Sequence, residues 1–225
     1  MSIQAEVIWM AGGSAALVNA PVRGLLFRDD MVRSVQRGWK IRTTRLLTKQ
    51  TAAWKVGDFF YVRETHAIPP GSDDPREVVY RADVGDLKEE QSIRRLTGRS
   101  LVPWRPNMHM PRKFARILIR LESIDISYLQ QMTSAMCIQE GARGFVSTKP
   151  TRQFPDGDNR TLWSMKCPHP IEDPTCELPS EHCLFSPQMA FANYWNELAP
   201  IGRSWEDNPR AVSATFSMQE LEAPA

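Results

Sequence analysis

The sequence of 225 residues contains no run of about 18 apolar residues, so no transmembrane helix is expected. No basic residue precedes Glu6, whereas a secretory signal normally begins with a basic segment. We therefore expect an intracellular, cytoplasmic protein that does not enter a membrane. There are only four cysteines, and the cytosol keeps thiols reduced, so a disulfide-bonded scaffold is not expected either.

The composition has no shortage of apolar residues and no excess of charge of one sign. Apolar residues make up 42% and charged residues 24%, which excludes a wholly disordered chain, a collagen-like chain and a coiled coil. The 28 basic and 26 acidic residues give a net charge of +2. Overall charge therefore says nothing about partners. The chain also has no internal repeat.

Acidic residues are missing locally. Arg94–Arg120 holds eight basic residues and no acid, and Arg23–Lys49 holds eight basic residues against Asp29 and Asp30 alone. Pro150–Ala225 has the opposite bias, with five basic and eleven acidic residues. If the two basic segments meet in space, they form a surface that attracts anions. The alternative is that they are ordinary solvated faces.

Local signals predict short strands and a few helices. An Asp cap at residue 29 or 30 and Gly38 bound a helix that ends at Arg37, and Ser186-Pro187 begins a helix through Leu198. A further helix is expected over Leu129–Glu140. Strands are expected at residues 24–27, 59–64, 78–82, 114–124 and 211–218. This order does not fit βαβ winding, so we predict an α+β fold with a small mixed sheet or barrel.

Residues 146–185 form an irregular segment rich in Cys and Pro, which we interpret as an insertion. Thiolate and imidazole ligands suit zinc, and a segment without its own core would gain stability from a metal. The spacing lacks a C-x₂-C pair, so unliganded loop cysteines are the alternative. The candidate ligands for a structural zinc are Cys167, His169, Cys176 and Cys183, with His182 nearby.

One compact motif, Gly38-Trp39-Lys40-Ile41-Arg42-Thr43-Thr44-Arg45, follows the first predicted helix. It resembles the Gly-x-Lys-x-x-[Thr/Glu]-x-Arg signature of ASCH domains, which belong to the PUA-like superfamily. Further blocks resemble the phage and prophage branch of that family, in the expected order. They are Val56–Asp58 with Val62–Thr65, Tyr80–Asp83, Trp104–Arg112, Ile138–Gly141, Tyr194–Asn196 and Trp205–Pro209.

The resemblance covers roughly Pro21–Met218 and implies one ASCH domain over residues 21–218. Its expected fold is a PUA-like β-barrel with flanking helices, interrupted by the Cys/Pro-rich insertion. Residues 1–20 would be an N-terminal extension and residues 219–225 a tail. The resemblance also implies a phage- or prophage-type protein.

A characterised ASCH relative hydrolyses the acetyl amide of 4-acetylcytidine with a Lys, a Thr and a Glu. The matching positions here are Lys40, Thr43 and Glu140. A threonine hydroxyl needs a neighbouring base, and a lysine serves when burial or a nearby cation lowers its pKa. A carboxylate orients that amine or moves protons to the leaving group. Lys40 and Thr43 meet only in a turn or helical conformation, because an extended chain would point them apart.

The same residues also fit binding without catalysis. Lys40 and Arg45 would contact phosphate, Thr43 would satisfy a backbone group, and Glu140 would form an ion pair, with Lys40 as a candidate partner. Trp39 either stacks on a base or only packs. The ligand-binding candidates are Trp39, Arg42, Arg45, Glu64, Trp104, Arg105, His109 and Arg112.

Two of these candidates have particular alternatives. Glu64 ends a predicted strand and is expected to pair with Arg63 or with the arginines of the signature. His109 lies between two methionines and is interpreted as a structural histidine rather than a base.

Three functional hypotheses follow. The first is an ASCH domain that binds RNA, DNA or a modified nucleoside. The second is an amidohydrolase that acts on an acylated pyrimidine nucleoside such as 4-acetylcytidine. The third is a phage assembly accessory protein without a ligand. None of them requires a cofactor, apart from the possible structural zinc.

Overall fold

The computed structural model describes residues 7–9, 15–17, 22–68, 71–72, 74–84, 103–146, 161–166 and 184–220. The helices are α1 (Asp29–Gln36), α2 (Ser134–Gln139) and α3 (Pro187–Leu198). The strands are β1 (Val7–Trp9), β2 (Ala15–Leu17), β3 (Arg23–Leu26), β4 (Arg42–Leu46), β5 (Phe59–Arg63), β6 (His66–Ala67), β7 (Val79–Tyr80), β8 (Ile117–Tyr128), β9 (Arg143–Val146), β10 (Thr161–Ser164) and β11 (Arg210–Glu220).

Five strands form a mixed sheet in the order β3-β5-β8-β11-β4. Strands β3 and β5 run parallel, whereas β5 with β8 and β11 with β4 are antiparallel. Six other strands form three separate two-stranded antiparallel sheets, which are β1-β2, β6-β7 and β9-β10. The α+β prediction is confirmed. The described strands form no closed barrel, so a sheet replaces the barrel that the family resemblance led us to expect.

Local signals explain where α1 and α3 begin and end. Asp29 and Asp30 occupy the first turn of α1, where a negative charge suits the helix dipole. Gly38 follows α1 with φ of 67°, a left-handed conformation that glycine adopts without a Cβ penalty. At α3, Ser186 Oγ accepts the Met189 N–H at 3.1 Å, and Pro187 fills the first helical position. The predicted starts and ends of α1 and α3 are therefore confirmed.

Strand β8 buries apolar side chains on both of its faces in its first part. Ile117, Ile119 and Leu121 share one face of the strand and are buried, and Leu118 on the opposite face is buried too. The first part of β8 is thus apolar on both faces, which is typical of a strand in the interior of a sheet.

The chain divides into two compact units, each made of separate stretches. Unit 1 comprises Met1–Arg33, Lys55–Glu122 and Phe216–Ala225, and unit 2 comprises Ser34–Trp54 and Ser123–Thr215. In unit 1 the buried side chains include Phe27, Phe60, Val62, Phe114 and Ile119. In unit 2 they include Cys137, Ala190, Phe191, Tyr194 and Val212. Among the described residues, no helix combines the length and the apolar character that crossing a membrane requires.

Candidate functional site in unit 2

Lys40 and Glu140 meet inside unit 2. Lys40 Nζ donates to the Glu140 carboxylate through Oε2, and it also donates to the Glu140 main-chain oxygen at 3.1 Å. Only 2% of the Lys40 side chain and 4% of the Glu140 side chain are exposed. The ion pair that the sequence offered as an alternative for Glu140 is therefore present. A buried pair of this kind depends on both partners, because either charge alone in the interior is costly.

Backbone hydrogen bonds hold the two residues in place. The N–H groups of Trp39 and Lys40 both donate to Ser34 O, at 2.9 and 3.0 Å, which folds the segment back onto the end of α1. Ile41 N–H donates to Gln139 O at 2.8 Å, which joins the start of β4 to the end of α2. The chain leaves α2 at Gly141, whose φ of 113° would strain any other residue. The turn therefore fixes where Glu140 points.

One carboxylate oxygen of Glu140 accepts no hydrogen bond from the described residues. Oε1 is buried and has no hydrogen-bond partner in the described part of the chain. Arg45 lies close enough for Glu140 and Tyr194 to favour its charged form, yet burial dominates and lowers the pKa of the Arg45 guanidinium below its usual value. Unit 2 thus holds a buried ammonium group, a half-buried guanidinium and a buried carboxylate, of which one oxygen has no donor among the described residues.

Thr43, the predicted nucleophile, lies in β4 opposite Ala214 of β11, and its side chain is buried. Lys40 precedes the strand, so the chain between them is not the turn or helix that their meeting was predicted to require. In the described residues no hydrogen bond joins Thr43 to Lys40 or to Glu140. The structure brings together two members of the predicted trio and places the third in the sheet.

Arg42 is engaged within unit 2. Its Nε donates to Gln139 Oε1 and its second guanidinium nitrogen, Nη1, donates to Ser213 Oγ, both at 2.9 Å. Ser213 Oγ also lies 3.0 Å from Thr44 Oγ1. Arg42 therefore ties β4 to α2 and β11, and its guanidinium already contributes two hydrogen bonds to the fold.

The guanidinium groups of two arginines lie close to the Trp39 ring. Arg37 Cζ lies 4.8 Å and Arg143 Cζ 5.2 Å from the centroid of the Trp39 ring, within the range of cation–π attraction. All three side chains are half-buried. Sequence reasoning assigned no role to Arg37 or Arg143, and Arg143 lies two residues beyond the end of the Ile138–Gly141 block.

Cys137, one turn before Glu140, is buried and free. Burial, with a smaller contribution from the Glu140 charge, raises the pKa of its thiol to about 12. A thiol in this state is almost entirely protonated at neutral pH, so it is not a nucleophile for this site.

A small open cleft in unit 2 lies between β10 and α3. Tyr194 lines it, and Lys166 Nζ pairs with Glu197 Oε1 at 2.8 Å across its wall. Tyr194 also interacts with the charge of Arg45. Tyr194 is therefore common to the cleft and to the surroundings of Arg45.

Unit 1 contains a separate buried network around Glu64. Arg116 grips both carboxylate oxygens of Glu64, at 3.0 and 2.7 Å, and also binds Asp83 at 2.5 and 2.9 Å. The Arg116 guanidinium lies 3.9 Å from the centroid of the Tyr80 ring. Burial raises the pKa of Glu64 despite these bonds. The partner of Glu64 is thus Arg116, and not Arg63 or a signature arginine as the sequence suggested.

His66 is a buried group that sequence reasoning missed. Its Nδ1 lies 3.2 Å from Glu64 O, and its Nε2 is buried without a partner among the described residues. Because a carbonyl oxygen only accepts, the neutral ring carries its proton on Nδ1. Burial chiefly, with the Arg105 charge, lowers the pKa of His66. A single histidine at a strand start gives no sequence signal for such a position.

The remaining ligand-binding candidates also lie in unit 1. Trp104 packs against Ala67, with the Arg81 guanidinium 5.2 Å from a ring centroid. Arg105 is exposed, and its backbone pairs with that of His66. His109 and Arg112 are exposed in two short 3₁₀ turns.

The basic segments form internal contacts as well as surface. Arg116 binds Glu64 and Asp83, and Arg120 pairs with Glu122 at 3.3 Å. Arg23 pairs with Asp58 at 2.8 Å. Acids from other parts of the chain thus neutralise some of the charge that the acid-free stretch concentrates in sequence.

The zinc candidates Cys167, His169, Cys176 and Cys183 lie outside the described residues, as does His182. Within the residues that the structure describes, no group of three or more His, Cys, Asp or Glu side chains is arranged to hold a metal ion.

Comparison of the chain with protein-family models, with curated proteins and with solved structures gave no match.

Proposed function

We propose that this chain is a cytoplasmic, ASCH-type domain of the PUA-like class, of the phage or prophage type, that binds RNA, DNA or a modified nucleotide. The proposed site is the group formed by the buried Lys40 and Glu140 and the half-buried Arg45. One observation carries the proposal: Glu140 Oε1 is a buried acceptor with no donor in the described part of the chain. The ASCH-like motif around Lys40 supports it.

The chemistry of this group suits a nucleobase with a polar edge. A buried carboxylate oxygen without a donor costs free energy, about 1–3 kcal/mol for an unsatisfied polar group. An amino or ring N–H of a base would supply that donor. Arg45 adds positive charge near Glu140, which favours an electron-rich carbonyl or an anion.

A ligand needs an approach to this interior. The small cleft between β10 and α3 marks where side chains would have to move apart to admit one, because Tyr194 lines this cleft and interacts with Arg45. Tyrosine offers a ring face and a hydroxyl, which suits the mixed character of a nucleoside.

The test is calorimetric titration of the protein with cytidine, 4-acetylcytidine, uridine, adenosine and guanosine, and with single-stranded RNA and DNA oligonucleotides. We expect saturable binding of at least one of these probes. Glu140→Gln keeps the shape but replaces one acceptor oxygen by a donor, so it should weaken binding about tenfold or more. Arg203→Gln, an exposed change in unit 2, is the matched control. Absence of binding by folded protein to every probe would refute the proposal.

A second candidate, hydrolysis of an acylated pyrimidine nucleoside, is favoured by the hydrogen bond between Lys40 and Glu140. That contact is the one in which a carboxylate orients a catalytic amine. An ammonium group paired with a carboxylate holds its proton, so Lys40 would first have to pass that proton on before it accepted one from Thr43. Binding needs no such step, which is why we rank it first.

Catalysis is tested by chromatography of 4-acetylcytidine after incubation with wild-type protein and with Lys40→Met and Thr43→Val. Hydrolysis would release cytidine and acetate with wild-type protein and not with either variant. Binding without release of cytidine would leave the chain a binding domain.

A structural zinc in the Cys/Pro-rich segment is a further proposal that rests on Cys167, His169, Cys176 and Cys183. Native mass spectrometry of protein purified without chelator tests it. A mass increase of one zinc ion, lost in Cys167→Ser and Cys183→Ser, would support it, and metal-free wild-type protein would refute it.

A further inference from the structure

We infer that Arg37 and Arg143, held on the Trp39 ring, form a phosphate-binding subsite. This inference rests on the proposed function and extends it, since it assigns the position of the nucleotide phosphate to side chains outside the ASCH-like motif.

The chain presents these three side chains from two connections in unit 2. Arg37 and Trp39 lie between α1 and β4, where two hydrogen bonds to Ser34 O fix the backbone. Arg143 begins β9, two residues after the turn at Gly141. The connections that hold Lys40 and Glu140 therefore also hold the two arginines.

Arg143 is the more informative of the two cations. Its Nε is buried without a hydrogen-bond partner, and it forms no ion pair with any acid among the described residues. Its one side-chain hydrogen bond there is a long contact of 3.5 Å from Nη1 to Ala142 O. Burial lowers the pKa of its guanidinium, and the hydration that its Nε donor has lost is not replaced by any acceptor in the described chain.

Both guanidinium groups lie within 5.2 Å of the centroid of one ring. A guanidinium presents its N–H donors in a planar fork that matches phosphate oxygens, so arginines at this ring can bind a phosphate through charge-assisted hydrogen bonds. Half-buried positions keep these donors within reach of a ligand while limiting screening by water.

The probe for the subsite alone is inorganic pyrophosphate. Titration is followed at the indole N–H resonance of Trp39 in a ¹⁵N-labelled sample, with Trp39→Phe to assign the resonance and sodium chloride to keep ionic strength constant. We expect a saturable shift. Arg143→Gln should weaken the apparent affinity about tenfold, while Arg203→Gln should leave it within about twofold.

Folding is checked by circular dichroism and thermal unfolding. Arg37→Gln carries the same test if Arg143→Gln does not fold. No saturable shift of Trp39, or equal affinities for the Arg143→Gln and Arg203→Gln proteins, would overturn the subsite.

Cytidine and cytidine 5′-monophosphate separate this inference from the proposed function. We expect the monophosphate to bind wild-type protein about tenfold more tightly, and Arg143→Gln to remove that advantage without changing cytidine affinity. Cytidine binding without any phosphate advantage overturns the subsite and leaves the proposed function standing. Pyrophosphate binding at Trp39 without binding of any nucleoside or oligonucleotide supports the subsite and refutes the proposed function.

Discussion

Lys40 and Glu140 lie 100 positions apart in the sequence and are joined by two hydrogen bonds from one ammonium group. The carboxylate accepts one and the main-chain oxygen of the same glutamate accepts the other. Lys40 thereby stabilises both the charge of Glu140 and the backbone that leaves α2. Removing one of the two side chains should therefore lower the free energy of unfolding more than removing both.

We predict that Lys40→Met lowers the free energy of unfolding by about 3–5 kcal/mol, because it leaves the Glu140 carboxylate buried without its partner. The double variant Lys40→Met/Glu140→Leu should recover much of that loss, since it removes both charges of the pair. Urea unfolding of the wild type, both single variants and the double variant gives the coupling free energy. Strictly additive losses would show that the two residues do not act as a pair.

We predict that Arg116→Gln destabilises the protein by about 3–5 kcal/mol, because it strands the Glu64 carboxylate, of which 0% is exposed. Arg116→Lys should recover only part of this loss because lysine lacks the two-point grip. Arg120→Gln is the control: its pair with Glu122 is exposed on both sides, so its loss should cost about 0–1 kcal/mol. Similar losses for Arg116→Gln and Arg120→Gln would contradict the buried network.

His66 should make stability fall as the pH is lowered. Its pKa in the folded protein lies below the ordinary value of 6.5, so between these two pKa values the unfolded chain binds the extra proton. The contribution of His66 is complete above pH 6.5 and is lost below it, at up to about 1.4 kcal/mol per pH unit.

Urea unfolding of wild-type protein and His66→Leu between pH 5 and pH 8 measures this contribution. The difference in unfolding free energy between the two proteins should shrink as the pH falls below 6.5. Parallel pH profiles would mean that His66 titrates alike in the folded and unfolded states.

Cys137 should resist thiol reagents in the folded protein. Its buried thiol has a pKa near 12, so both access and thiolate formation are suppressed. Iodoacetamide labelling at pH 8, followed by mass spectrometry of the Cys137 peptide, should show modification only after unfolding in urea. Rapid labelling of the native protein at this position would show that α2 opens readily.

Elements whose signals are local were predictable from sequence. Asp29, Gly38 and the Ser186-Pro187 pair each act within a few residues, and α1 and α3 follow them closely. The second helix was predicted to begin at Leu129 but begins at Ser134, because Thr133 Oγ1 accepts the Met136 N–H and caps it there. A single threonine among polar residues was too weak a signal to place that start.

The candidate sites show where sequence reasoning stops. The family resemblance predicted that Lys40, Thr43 and Glu140 form one site. Lys40 and Glu140 do meet, but Thr43 lies in β4, where its pairing with Ala214 of β11 fixes its orientation. The partner of Glu64 was not predictable, since the acid-free stretch that contains Arg116 offers eight basic residues with no local feature to separate them. Partners of buried charges are selected by tertiary packing, which a spacing in sequence does not encode.

Unit 2 combines Ser34–Trp54 with residues that begin at Ser123. During translation, Lys40 leaves the ribosome 100 residues before Glu140, about 5–20 s earlier at ordinary elongation rates. Throughout that interval the first stretch of unit 2 lacks its interior and stays hydrated. Productive folding of this half of the molecule is therefore a late event in synthesis, and a nascent chain stalled before Glu140 exposes β4 to chaperones and proteases.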